Sequence, residues 1–197
     1  YKGELDVSDE ASTRTLDVEM DDSSYKEIFD SNISIALINV ESTKSHHSLN
    51  KVSRPEAKII VNILGDLLKQ GILPKEVGII APFRAQVAEI RRQIELNLFN
   101  YFNKSEDIKP IVDTVDRFQG DERDVIIFSL TLIDENIPEL LQDIRRLNVA
   151  ISRSRKKFIG VGNWNKVGDS ETLTHLKEYV EQSNQSILSY HPVPDSA

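Results

Sequence analysis

Six basic side chains crowd one short stretch: Arg145, Arg146, Arg153, Arg155, Lys156 and Lys157, with no acid from Ile144 to Lys157. Arginine keeps its charge and presents a planar fork of donors that matches phosphate oxygens. The segment Arg145–Arg155, RRLNVAISRSR, reads as a helix that feeds an apolar strand. About thirty residues earlier lies Asp113–Asp124, DTVDRFQGDERD. There Gly120 would let backbone approach a ligand closely. Thr114 offers a hydroxyl suited to a phosphate, and Glu122 an acceptor suited to a ribose hydroxyl. Arg153 could neutralise charge developing on a transferred phosphoryl group. Taken singly, each segment also reads as a solvated basic helix face or an acidic turn.

The partner chemistry is absent from the sequence. No G-x-x-x-x-G-K-[ST] occurs, so nothing here cradles a triphosphate and its magnesium. No clear acidic pair follows a strand to hold a metal. The pair His46–His47 lacks a nearby third ligand and reads as part of a polar loop, so no metal site is expected. Such a chain cannot hydrolyse a nucleoside triphosphate by itself.

The elements that must position these residues alternate. Ile33–Val40 is a mostly apolar run of strand length. Ser53-Arg-Pro-Glu56 reads as a capping box, with Pro55 suited to a first helical turn. Ile59, Ile60, Ile63, Leu64, Leu67 and Leu68 make the helical stripe that follows, and Gly71 ends it. Val77–Ala81 predicts a second strand, and Val87, Ile90, Ile94 and Leu98 a second helix. Ile111–Val115, Val125–Leu130 and Phe158–Gly162 predict three more strands. Leu173, Leu176 and Val180 mark a closing helix. Alternating apolar strands and helices indicate an α/β fold with a mainly parallel sheet covered on both faces. Ligands of open parallel sheets sit outside the carboxyl ends of the strands. That rule points to two loops, Pro82-Phe-Arg-Ala-Gln86 and Asp116 to Arg123.

With 197 residues, 39% of them hydrophobic, the chain suits one domain with a proper core. It has no cysteine, hence no disulfide and no thiolate metal site. No apolar run approaches membrane-spanning length, and an intracellular, cytoplasmic or nuclear protein is expected. The net charge of −8 is uneven: residues 1–32 hold ten acids and three basic residues, so the remainder is nearly neutral. Acidity overall therefore does not argue against a nucleic-acid partner. The expected organisation is an acidic leader over 1–32, one domain over 33–190 and a tail over 191–197.

Three segments carry a family resemblance. VGIIAPFRAQ (Val77–Gln86) resembles I-G-I-I-x-P-[YF]-x-x-Q, and DTVDRFQGDERDVIIFSL (Asp113–Leu130) resembles S/T-V-D-x-[FY]-Q-G-x-E-x-D. Arg145–Arg155 resembles R-R-L-N-V-A-[LI]-[ST]-R-[AS]-[RK]. These are motifs of superfamily 1 helicases, in the group that holds the nonsense-mediated-decay RNA helicase and the replication nuclease-helicase. The resemblance implies a RecA-like domain without its own P-loop, the second of two motor domains. ATP and Mg2+ would then be bound mainly by the first motor domain of the same parent chain. It implies that Arg153 reaches the γ-phosphate and that Gly120 and Glu122 line the nucleotide cleft. It also implies that Thr114, Arg84 and Gln86 touch a single strand, with DNA favoured over RNA by likeness of DRFQG and AISRSRKKF to nuclease-helicase members. Asp121 departs from relatives that carry a basic residue there. The acidic leader has no place in the pattern. A binding module without a motor half, or another phosphate-binding α/β domain, are the rival readings.

Overall fold

The computed structural model describes residues 15–18, 23–41, 51–102, 107–108, 111–118, 122–131, 141, 143–183 and 185–190. Six strands form one parallel sheet: β1 (Ile35–Val40), β2 (Val77–Ala81), β3 (Val112–Thr114), β4 (Arg123–Ser129), β5 (Ser154–Gly162) and β6 (Ser186–Tyr190). Their order is β3-β2-β4-β5-β1-β6. Among the described residues four α-helices flank it: α1 (Arg54–Lys69), α2 (Arg84–Leu98), α3 (Ile144–Ser152) and α4 (Glu171–Gln182). This is the α/β arrangement that the alternation predicts, and it is consistent with the RecA-like domain that the resemblance implies.

Side chains alternate across each strand, so one strand feeds two cores. Ala36, Ile38, Ile79, Ile127 and Ile159 face the stripe Ile60, Ile63, Leu64 and Leu67 of α1 and Ile90 and Ile94 of α2. Leu37, Ile80, Ile126, Phe128 and Phe158 face Leu147 and Ala150 of α3 and Leu173 and Val180 of α4. Each such burial contributes about 1.5–3 kcal/mol against exposure. Helix α1 ends as expected: Gly71 has φ of 85°, its N–H reaches the Leu68 carbonyl, and the Ile72 N–H reaches Leu67, both at 3.1 Å. This is the paired bonding of a Schellman stop.

Two expectations change, and one connection was not foreseen. The folded body starts ahead of residue 33, because Leu16, Tyr25, Ile28 and Phe29 of the acidic leader are buried in the first core. Strand β6 was not visible as an apolar run, yet it pairs with β1 throughout. The short link between β3 and β4 does not join neighbours, since β2 lies between them. Residues 191–197 lie outside the described residues.

Lys157 explains part of the first change. It belongs to the basic block, but its side chain points inward and is 1% exposed. Its Nζ donates to the carbonyls of Ile28 at 2.7 Å and Asp30 at 2.9 Å, and also to Ile33. Burial pulls its ammonium down to about 8. One cation thus pins the turn Lys26–Phe29 against β5. Among the described residues, no helix is long and apolar enough to cross a membrane.

Candidate functional site

The expected site residues fall on two opposite edges of the sheet. Glu122 immediately precedes β4 and Arg153 immediately precedes β5, and the first residues of these strands, Arg123 and Ser154, are paired in register. Both therefore lie at the amino edge. Thr114 ends β3, and Arg84 opens α2 just beyond the end of β2, with Ala81 and Thr114 in register. These lie at the carboxyl edge, roughly 20 Å away along β4 at the usual strand rise. One set of expected residues sits at the carboxyl edge that the rule favours, and the other at the amino edge. The loop through residues 115–122 starts at one edge and finishes at the other. Gly120, with Asp121, lies outside the described residues.

At the amino edge, Arg153 caps the carboxyl end of α3, with its N–H on Val149 and Ala150. A cation there faces the negative end of the helix dipole. Its carbonyl accepts the Arg123 N–H at 2.9 Å. Most other charges of the basic block are already matched. Asp124 holds Arg155 at 2.6 Å and Lys156 at 2.9 Å, while Arg146 lies between Asp116 at 3.7 Å and Asp143 at 3.8 Å. Arg153 differs. Among the described residues no carboxylate pairs with its guanidinium, and its Nε is buried without a hydrogen-bond partner. Native proteins seldom leave such a donor orphaned unless something else supplies the acceptor. A phosphate oxygen is such an acceptor. Glu122 is exposed beside it. Among the described residues, no group of His, Cys, Asp and Glu could hold a metal ion.

At the carboxyl edge, Arg84 is exposed and Thr114 is half-buried. Asp113, next to Thr114, is held by Arg91 at 3.6 Å and Arg117 at 3.8 Å. Phe83 carries the Lys51 Nζ 4.9 Å from its ring centroid. Gln86 behaves differently from expectation. It is 0% exposed, and its amide is engaged internally. Its Oε1 accepts the Ser53 N–H at 2.7 Å, and its Nε2 donates to the Ser53 carbonyl at 3.0 Å and to Ser129 Oγ at 3.2 Å. The amide is turned away from solvent, and Gln86 braces the Ser53 backbone against Ser129.

Beneath this edge lies a residue whose role the sequence hid. Glu56 does not reach back to cap α1; the Ser53 N–H goes to Gln86 instead. The Glu56 carboxylate is 2% exposed and accepts from Ser129 Oγ at 2.6 Å and from the Thr131 N–H at 2.8 Å. Thr131 sits at φ 51°, a left-handed conformation uncommon for a β-branched residue. Burial raises Glu56 to about 7, although the hydrogen bonds from Ser129, Thr131, Ser53 and Leu130 oppose the rise. S-x-x-E is the pattern of a capping box, and nothing in it distinguishes a cap from a buried hub.

The geometry of two edges can be set beside known proteins. A family model described as an AAA domain matches residues 1–165. The chain belongs to this AAA-domain family, among the superfamily 1 helicases. The match starts at residue 1, so the acidic leader falls inside the family pattern after all. The DNA replication ATP-dependent helicase/nuclease DNA2 of Xenopus laevis is 40% identical over 109 residues, covering 54% of this chain and 10% of the relative. Helicase sen1 of Schizosaccharomyces pombe is 32% identical over 126 residues, covering 61% and 7%. ATP-dependent helicase NAM7 of Saccharomyces cerevisiae is 32% identical over 126 residues, covering 64% and 13%. This helicase domain thus spans 7% to 13% of the length of these relatives.

Proposed function

We propose that this helicase domain is the second motor domain of an ATP-dependent helicase, and that Arg153 is its arginine finger. The buried, unpartnered Nε of Arg153 beside exposed Glu122 carries the reading. With ATP in the cleft, Arg153 would meet the γ-phosphate, where an inserted arginine stabilises charge in the transition state. Glu122 and Gly120 would line the ribose side. Mg2+ neutralises the phosphates in such reactions, and its ligands would come from the first motor domain.

The opposite edge would hold a single strand through Arg84 and Thr114. Contacts of this kind go to phosphates and sugars and tolerate any sequence. Closing the two motor domains on ATP and releasing them after hydrolysis would shift the grip along the strand. DNA is the favoured strand: DNA2 relatives stand among the matches, and DRFQG and AISRSRKKF resemble that type.

Two substitutions in the intact helicase separate the edges. Arg153→Ala is expected to abolish turnover while single-strand affinity stays within about two-fold, since the two edges are roughly 20 Å apart. Arg84→Ala is expected to weaken strand binding and flatten its salt dependence, because one released counterion is lost. If Arg153→Ala weakens strand binding as much as Arg84→Ala does, the assignment of edges is wrong.

A further inference from the structure

We propose that Phe83 is a stacking platform for one nucleobase of the bound strand, with Lys51 as a movable cover that shifts to the neighbouring phosphate when the base arrives. The inference rests on the reading of the carboxyl edge as the strand-binding edge, and it names what that edge would take beyond the backbone.

The placement of Phe83 is the first argument. It is the residue before α2, in extended backbone at φ −121° and ψ 137°, between buried Pro82 and exposed Arg84. Its ring is half-buried. Ala81, two residues before it, is in register with Thr114. Phe83 therefore directly precedes Arg84 and follows by two residues the strand position paired with Thr114, the two residues expected to hold phosphates. An aromatic face flanked by phosphate-binding groups is what a single strand needs, because every base has a π-face.

The second argument is the cation already on that ring. The Lys51 ammonium lies 4.9 Å from the centroid, within the range of a cation–π contact. At a solvent-exposed site such a contact is weak, about 0.5–1 kcal/mol, and a stacked base contributes more. Lys51 itself is exposed and holds φ at 54°. Displaced from the ring, its ammonium has a phosphate to go to.

The third argument is that the pair is braced from below. Ser53 is two residues from Lys51, and Gln86 is three residues from Phe83. The Gln86 amide clasps the Ser53 backbone through both an N–H and a carbonyl, at 2.7 Å and 3.0 Å. Gln86 in turn rests on Ser129, and Ser129 on Glu56. Burial raises the Glu56 carboxyl, so the network is a set of hydrogen bonds and not an ion pair. What the network does achieve is to fix the entries of α1 and α2 against each other, and with them Lys51 and Phe83.

The test uses the intact parent helicase with two probes of equal length, an oligodeoxythymidylate and an abasic deoxyribose-phosphate oligomer. Wild type is expected to bind the base-bearing probe more tightly. Phe83→Ala is expected to lose roughly ten-fold or more for that probe and nothing for the abasic one. Phe83→Trp, which keeps an aromatic face, restores the difference. Equal losses for both probes would mean that Phe83 is merely structural, and no loss for either would mean that it meets no base; both overturn the proposal. Arg84→Ala is run alongside and should weaken both probes. If Arg84→Ala changes neither, the strand-edge reading itself fails. If it weakens both while Phe83→Ala does not discriminate between them, only the platform fails.

Discussion

Arg123 donates its backbone N–H to the carbonyl of Arg153 at 2.9 Å, so the first residue of β4 is fastened to the residue that closes α3. Glu122 and Arg153 are thereby held side by side by backbone, without depending on flexible side chains. The loop from β3 delivers Glu122 to this edge, and α3 delivers Arg153. A change in either element is felt at the same place.

The Glu56 carboxyl makes stability depend on pH. Its folded value of about 7 stands above the ordinary 4.5. The folded protein therefore keeps a proton that the unfolded chain releases, and stability falls as pH rises across that window. The contribution is fully present below the lower value and is lost by about the upper one, on the order of 3 kcal/mol. Glu56→Gln does not titrate. Denaturant unfolding should show wild type gaining on the variant as pH is lowered from 8 to 5, those two pH values bracketing most of the window. Parallel pH dependence in both proteins would contradict a raised Glu56.

Lys157→Met keeps the stem and removes the three bonds to Ile28, Asp30 and Ile33. The Asp30 carbonyl keeps the Ile33 N–H at 3.0 Å, and each carbonyl left without a donor costs about 1–3 kcal/mol when buried. The variant should unfold at lower denaturant, and a protease should cut sooner within residues 23–33. Unchanged stability would mean that the leader is held by its apolar side chains alone.

Gly162→Ala tests the packing of β5 on β4. A Cβ at Gly162 would lie 2.4 Å from the Leu130 Cβ. Leu130 cannot retreat freely, because its N–H bonds the Val161 carbonyl at 2.9 Å. The strands must part or bend, at about 1–3 kcal/mol for an overpacked core. Thermal unfolding reads the loss, and a variant as stable as wild type would show that the sheet can flex there.

The helices and most strands were legible because burial imposes its period on the sequence. The α1 stripe from Ile59 to Leu68 and the run Val77–Ala81 appear where they were expected. The strand Ser186–Tyr190, SILSY, was not legible, since its polar residues give no apolar run. Leu16, Tyr25, Ile28 and Phe29 were hidden singly among acids, and only the tertiary fold gathers them into a core. Motif order placed the candidate residues on loops that border the strands. The separation of edges was implicit too: in a parallel sheet Arg153, ahead of β5, and Arg84, beyond β2, lie at opposite edges whatever the strand order. Gln86 and Lys157 are polar residues that sequence places on the surface. Both turn inward to bond backbone, Gln86 at Ser53 and Lys157 at Ile28, Asp30 and Ile33.

ATP hydrolysis by the intact helicase, with and without single-stranded DNA or RNA, separates wild type from Arg153→Ala. A strand should stimulate the wild type, and Arg153→Ala should lower that turnover by roughly 10³-fold or more while strand binding persists. Near-normal turnover in Arg153→Ala would contradict the arginine-finger assignment. A wild type that stays inactive with both strands would point instead to a binding module that has lost its motor.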